Sequence, residues 1–110
     1  MKFYKNLYIG DTITKPNKIK WKLKRHAKQL RVFVILLASG DDQLEICHSI
    51  VLEQPYYRNK ENAPYGIGIA GNYEEAVTLV CRIVEEAVAQ NGNADLKGYL
   101  FPEAQAVRKA

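Results

Sequence analysis

The sequence predicts an α+β domain in which one long helix packs across a small, mainly antiparallel sheet of three strands. An unbroken apolar run over 32–38 is typical of a central strand buried on both faces. Residues 44–53 largely alternate between apolar and polar side chains, as in a strand with one core face. A helix start signal at Asn72 precedes apolar residues at helical spacing. With a basic N-terminal helix added, the predicted order is αβββα.

Composition indicates a globular protein. The chain has 110 residues, of which 47% are hydrophobic and 25% charged, so we expect one domain over 1–110 with a real core. The longest apolar run covers seven residues, whereas a transmembrane helix needs about 20, so no membrane segment is expected. The N-terminus lacks the apolar core of a signal peptide, which predicts a cytoplasmic protein. There, Cys47 and Cys81 would stay reduced as small core residues.

The charge is unevenly distributed. Between residues 15 and 31, eight of seventeen side chains are Lys or Arg and none is acidic. Residues 1–31 carry ten basic and one acidic side chain (+9), while residues 32–110 carry six basic and eleven acidic (−5), which sum to +4. This asymmetry favours an anionic partner: a nucleic-acid or membrane phosphate surface, or the acidic face of another protein. Of these, we expect nucleic acid or an acidic protein and no membrane.

The basic segment itself is ambiguous in secondary structure. Residues 18–24 alternate as a strand would, yet Ile19, Leu23, Ala27 and Leu30 also form a helical stripe. Pro16 suits a first helical turn, and Lys and Arg are better helix formers than strand formers, so we favour a helix. The strand alternative stays open.

The remaining elements follow in order. The run 32–38 and the segment 44–53 form a hairpin around a loop at 39–43, and 56–64 is a polar surface loop. Tyr65 to Ala70 is a third short strand, and an extra strand at Tyr4 to Ile9 is an option.

The long helix has the clearest boundaries. Asn72 is its N-cap, Glu75 the returning capping-box residue, and Gly92 its C-terminal stop. Its predicted apolar positions are Ala76, Val77, Val80, Ile83, Val84, Ala87 and Val88. Residues 94–101 form a short final turn with Leu96, Tyr99, Leu100 and Phe101 against the core, and 103–110 fray.

The candidate binding surface is the basic segment, in which Trp21 lies between lysines. On a helix, Trp21 would lie near Lys24, Arg25 and Lys28 and form a mixed aromatic and basic face. A buried Trp21 would instead only anchor the segment. The predicted nucleic-acid or partner-binding residues are Lys18, Lys20, Trp21, Lys22, Lys24, Arg25 and Lys28, with Tyr56, Tyr57 and Arg58 from the polar loop.

The rival hypothesis is a small enzyme or ligand-binding protein with a pocket near His48, Tyr57 and the segment Gly66–Gly71. That segment matches G-x-G-x-x-G, but it is itself strand-like, and Glu74 and Glu75 would repel a phosphate at the following helix. His48 has no nucleophile or oriented partner in a motif, so a buried neutral histidine, hydrogen-bonded to the backbone or to a tyrosine, is favoured.

No other cluster predicts chemistry. Asp41-Asp42 and Glu85-Glu86 are adjacent pairs, not spaced as metal ligands or as a catalytic pair, and are expected to be solvated. We therefore predict no catalytic, metal-binding or cofactor-binding residues.

Several short segments carry a resemblance to a known family. They are Leu44-Glu45-Ile46, Leu52 to Tyr57, Gly66 to Ala70, Tyr73 to Ala76 and Asp95 to Leu100. Together they resemble a family of small uncharacterised bacterial proteins. The resemblance implies a bacterial, cytoplasmic protein of one domain and carries no activity or site residues with it.

The expected function is a non-enzymatic binding or adaptor module. Because the strand at 32–38 is apolar on both faces, one long helix cannot cover it completely. The basic segment or a second copy of the chain would cover the other face, so self-association is one option.

Overall fold

The computed structural model describes residues 2–25, 30–37, 44–54, 65–92 and 99–100. Strand β1 (Lys2–Ile9) is followed by helix α1 (Pro16–Lys24), β2 (Phe33–Leu37) and β3 (Leu44–His48). A 3₁₀ turn (Val51–Glu53), β4 (Tyr65–Ala70) and helix α2 (Tyr73–Asn91) complete the order. The α+β class is confirmed, and the basic segment contains a helix as favoured.

The sheet differs from the predicted one. It has four strands in the order β1-β4-β2-β3, with β2 antiparallel to both of its neighbours and β1 parallel to β4. The prediction of three strands in the order αβββα is therefore wrong, and the optional N-terminal strand is real. The partner of β1 lies about sixty residues away, so no hairpin signal marks their pairing.

The sheet is covered on both faces, as the apolar run at 32–38 predicted. Along β2, Ile35 and Leu37 pack in a cluster with α2, while Val34 and Leu36 pack in a second cluster that contains Leu23 of α1. Each such side chain contributes about 1.5–3 kcal/mol when it is fully buried. The basic segment therefore covers the second face within a single chain.

The predicted strand over 44–53 ends early, at His48. Ser49 is 4% exposed, and its hydroxyl donates to the Leu30 carbonyl oxygen and accepts from the Val32 N–H at 3.2 Å. The Leu52 N–H then donates to the Ser49 carbonyl at 3.1 Å and closes a turn. Ile50, predicted on the core face, is instead 61% exposed. Alternation alone could not show that a buried serine would end the strand.

Helix α2 begins and ends as predicted. The Asn72 side chain accepts from the Glu75 N–H at 2.8 Å, and Gly92 adopts a left-handed φ of 76°. Its buried row is Ala76, Leu79, Ile83 and Ala87. The predicted stripe was wrong for Val77 and Val88, which are exposed, because only one row of its wide apolar arc faces the sheet.

A hydrogen-bonded cluster joins the far end of α2 to β1. The Tyr8 hydroxyl donates to Glu86 Oε2 at 2.5 Å, and the Tyr99 hydroxyl donates to the same oxygen at 3.1 Å. These bonds, led by that from Tyr8, hold the pKa of Glu86 below its usual range, whereas burial and the Glu86 bond raise the pKa of Tyr8. The prediction that Glu86 is solvated is therefore wrong, because its carboxylate accepts hydrogen bonds from two tyrosines. Leu100 is buried as expected, while Leu96, Phe101 and 103–110 lie outside the described residues.

Candidate nucleic-acid interface

Helix α1 places the basic side chains. Pro16 lies in its first turn, where the missing N–H costs nothing, and no acidic residue occupies that turn. Leu23 is 5% exposed and Ile19 is partly buried against the same cluster. These two apolar residues, four apart, orient α1 on the sheet and thereby decide which residues face outward.

The outward face of α1 carries an exposed aromatic ring among cations. Trp21 is 56% exposed. The Arg25 guanidinium lies 4.4 Å from the centroid of the Trp21 ring, which is within cation–π range. At 100° per residue, Lys18 projects about 60° from Trp21 and the partly buried Lys22 about 100° from it, both on the same flank of the helix. Of the three residues predicted to lie near Trp21, Arg25 is in contact with its ring, and Lys18 and Lys22 lie on the flank beside it.

Lys20 and Lys24 occupy a different position. Their ammonium groups lie 5.7 and 5.8 Å from the centroid of the Phe3 ring on edge strand β1. Each contact contributes about 0.5–1 kcal/mol at an exposed site. Lys24 therefore turns towards β1 and not over the Trp21 ring, so these two lysines also help attach α1 to the sheet.

The positive charge of α1 is not neutralised locally. Among the described residues, Arg82 and Glu86 of α2 form an ion pair, with Arg82 Nε 3.2 Å from Glu86 Oε1. No basic side chain of α1 forms an ion pair with a described residue. Helix α2 with its four glutamates lies on the opposite face of the sheet, so the sheet separates these carboxylates from the cations of α1. This arrangement leaves the α1 cations available to an anionic ligand.

A shallow cavity, wide open to solvent, lies between α1 and β1. Its lining includes two lysines, two asparagines and apolar side chains: Lys5, Lys20, Asn6, Asn17, Leu7 and Pro16. Sequence reasoning missed Lys5 and Asn6 because the N-terminal strand was only optional and had no assigned neighbour. It missed Asn17 because the residues opposite it belong to that strand. The available signal was the group of polar residues Lys2, Lys5 and Asn6 near the N-terminus. It did not show that α1 would lie beside them.

Part of the predicted site lies outside the described residues. This applies to Lys28 and to Tyr56, Tyr57 and Arg58, whose contribution stays a prediction.

In the segment Gly66–Gly71, the space beside Gly68 and Gly71 is filled by other residues of the protein. A Cβ at Gly68 would lie 3.1 Å from Ile35 Cδ1 and 3.2 Å from the Tyr8 carbonyl oxygen, so a neighbouring strand accounts for this glycine. A Cβ at Gly71 would overlap the Thr12 hydroxyl.

The Glu75 carboxylate occupies the N-terminal end of α2. Glu75 Oε1 accepts from the Gly71 N–H at 2.8 Å and from the Thr12 hydroxyl at 2.8 Å, and Oε2 accepts from the Thr12 N–H at 3.2 Å. The Gly71 bond, supported by those from Thr12, lowers the pKa of Glu75. Glu75 thus reaches Gly71 and Thr12, where the capping box predicted a bond to Asn72, and it fills the position that a phosphate would need.

His48 is held within the fold. Its Nδ1 accepts from the Ile50 N–H at 3.1 Å, and its ring meets the Phe33 ring edge-on with centroids 5.0 Å apart. The predicted backbone hydrogen bond is confirmed, although the residue is partly and not fully buried.

The cysteines and acidic residues suggest no further chemistry. Cys81 is exposed, so its prediction as a core residue is wrong, whereas Cys47 is partly buried and burial raises its thiol pKa. Within the described ranges, no group of three or more His, Cys, Asp or Glu side chains could hold a metal ion. No helix formed by the described residues has the length and apolar character to cross a bilayer.

Comparison with known proteins adds no family to these observations. No family model matches the sequence. No curated protein and no solved structure has significant similarity to it.

Proposed function

We propose that this protein binds nucleic acid through the outward face of α1. Lys18, Lys22 and Arg25 contact phosphates, and a base stacks on Trp21. The observation that carries the proposal is the 56% exposure of Trp21 beside the Arg25 guanidinium. Neither Arg25 nor the flanking Lys18 and Lys22 forms an ion pair with a described residue.

The chemistry of this face matches that of a nucleic-acid surface. Phosphate contacts from Lys and Arg supply most of the affinity, and each base stacked on an aromatic ring adds about 1–3 kcal/mol. An exposed tryptophan is unfavourable in a protein without a ligand, because its large apolar surface stays in water. Stacking on a base would remove that surface from water.

The first test is a titration of labelled single-stranded and duplex oligonucleotides between about 50 and 200 mM salt. If three cations contact phosphates, affinity should fall about 20-fold over this range for a single strand and about 40-fold for a duplex. Trp21 is the one tryptophan of the chain, so quenching of its fluorescence reports stacking directly.

Matched variants separate this surface from general charge and exposure. Lys18→Glu/Lys22→Glu should abolish binding, whereas Lys18→Arg/Lys22→Arg should retain it. Trp21→Ala should weaken binding about tenfold. Tyr73→Ala is its control, because Tyr73 is 57% exposed but belongs to α2 on the opposite face, and this variant should bind normally.

Two results would contradict the proposal. Absence of binding at low salt would show that the proposal is wrong and would direct the search to an acidic protein partner. Binding that Lys18→Glu/Lys22→Glu leaves intact would show that another surface is responsible.

A further inference from the structure

The cavity between α1 and β1 arises from an irregular stretch of the edge strand. Phe3 is paired with Gly66 and Tyr8 with Gly68, so four residues of β1 lie opposite the single residue Ile67 of β4. Extra residues in one strand bend it and redirect its side chains, and such bulges are frequent beside binding sites. Here the redirected stretch includes Lys5, Asn6 and Leu7, all of which line the cavity.

The lining has the composition that a nucleotide requires. Leu7 and Pro16 offer an apolar surface for a base, and the amides of Asn6 and Asn17 can each donate and accept hydrogen bonds at its edge. The ammonium groups of Lys5 and Lys20 supply positive charge for a phosphate. No carboxylate is among the described residues that line this cavity.

The cavity also lies beside the stacking residue of α1. Asn17 precedes Trp21 by four residues, which places it one turn away, about 6 Å along the helix axis. Lys24 projects on the same side of the helix as Asn17, and its ammonium group lies 5.8 Å from the centroid of the Phe3 ring, so this side of α1 is also positive. A strand that stacks one base on Trp21 can therefore extend into the cavity without leaving a basic surface.

We infer that this cavity holds one unpaired nucleotide of a single strand whose neighbour stacks on Trp21. The inference rests on the proposed function and makes it more specific, because it names single-stranded nucleic acid as the ligand. In a duplex, bases are stacked and their pairing edges are occupied, so a base cannot enter the cavity without being unpaired first. The protein should consequently prefer single strands.

The test compares a labelled single strand of about 12 nucleotides with its duplex at equal length and salt. Wild-type protein should bind the single strand about tenfold more tightly. Asn17→Phe fills the cavity without changing charge and should lower single-strand affinity about tenfold while leaving duplex affinity within about twofold. Gln90→Phe places the same ring on exposed α2 and should have no effect.

A second variant protects the test against misfolding of Asn17→Phe. Lys5 is exposed on the edge strand, so Lys5→Gln should fold normally by circular dichroism. It should reduce the slope of log affinity against log salt by about 0.7 for the single strand, the value expected for one lost phosphate contact.

The outcomes distinguish the two proposals. Equal affinity for duplex and single strand, or wild-type behaviour of folded Asn17→Phe and Lys5→Gln, would overturn the cavity assignment. If Trp21→Ala and Lys18→Glu/Lys22→Glu still weakened binding, the proposed function would stand without it. If wild-type protein bound no nucleic acid, the proposed function would fail and the cavity assignment with it.

Discussion

The Glu75 carboxylate joins two turns that are far apart in sequence, and its removal should destabilise the protein measurably. It accepts hydrogen bonds from Gly71 at the end of β4 and from Thr12 in the turn between β1 and α1. A Cβ at Gly10 would overlap this carboxylate, so the turn packs directly on it. Glu75→Ala therefore removes three hydrogen bonds and one packing contact.

The size of the loss follows from the exposure of these groups. The donors at Gly71 and Thr12 can bond water in the variant, so each lost bond costs nearer the lower end of about 0.5–1.5 kcal/mol. Three bonds together give a loss of about 2 kcal/mol in the free energy of unfolding. For a chain of this size, that loss lowers Tm by about 8 °C.

Glu74→Ala is the matched control. Glu74 has the same charge in the same first turn of α2, so it shares the favourable interaction with the helix dipole. Its carboxylate makes no hydrogen bond among the described residues. Glu74→Ala should therefore lower Tm by only about 1–3 °C, and the difference between the two variants measures the hydrogen bonds.

The pH dependence provides a second readout. Because the Gly71 and Thr12 bonds lower the pKa of Glu75 in the folded state, the unfolded chain binds this proton more tightly. The stabilisation is present in full above the ordinary glutamate pKa and is lost as pH falls through the lowered value. Wild-type protein and Glu75→Ala should thus converge in stability in acid.

Thermal or urea unfolding of the three proteins at pH 7 and in acid measures both effects. The reasoning would be refuted if Glu75→Ala lowered Tm no more than Glu74→Ala did at pH 7. A difference that persisted unchanged at acid pH would contradict the assignment to an ionised carboxylate.

Three further predictions concern other contacts. Asn72→Ala removes the acceptor for the Glu75 N–H and should cost about 1 kcal/mol in urea unfolding, while Asn72→Ser should restore most of it; equal stability of all three would contradict the cap. Burial and the Glu86 bond raise the pKa of Tyr8, so Tyr8 should stay protonated in alkaline solution as long as the fold persists. Over that pH range, Tyr8→Phe should show the same rise in phenolate absorbance as the wild type; a smaller rise in the variant would show that Tyr8 ionises. Leu23→Ala should cost about 2–4 kcal/mol and increase the quenching of Trp21 by acrylamide, since α1 would lose its buried contact; unchanged quenching would show that other contacts hold the helix.

Features with local signals were predictable from the sequence. Asn72 and Gly92 mark the ends of α2 because caps depend on residues a few positions apart. Strand β4 has the predicted bounds of Tyr65–Ala70, and the apolar run at 32–38 contains a strand buried on both faces. In each case, the forces that shape the element act over a short stretch of chain.

The candidate site was predictable only in part. Composition identified the basic segment, but its alternation fitted a strand and its apolar residues fitted a helix. The burial of Leu23 beside the sheet resolves this ambiguity and leaves Trp21 exposed. No single-sequence signal could have shown that Lys20 and Lys24 would turn to Phe3, because that ring belongs to a strand outside the segment.

The sequence by itself determined the charge asymmetry, the α+β class and the caps of α2, since these depend on composition and on neighbours in the chain. Only the tertiary structure decided the parallel pairing of β1 with β4, the bridge from Glu75 to Thr12 and the cavity between α1 and β1. These features join residues tens of positions apart. Their partners are selected by packing of the whole sheet, and local periodicity contains no information about that choice.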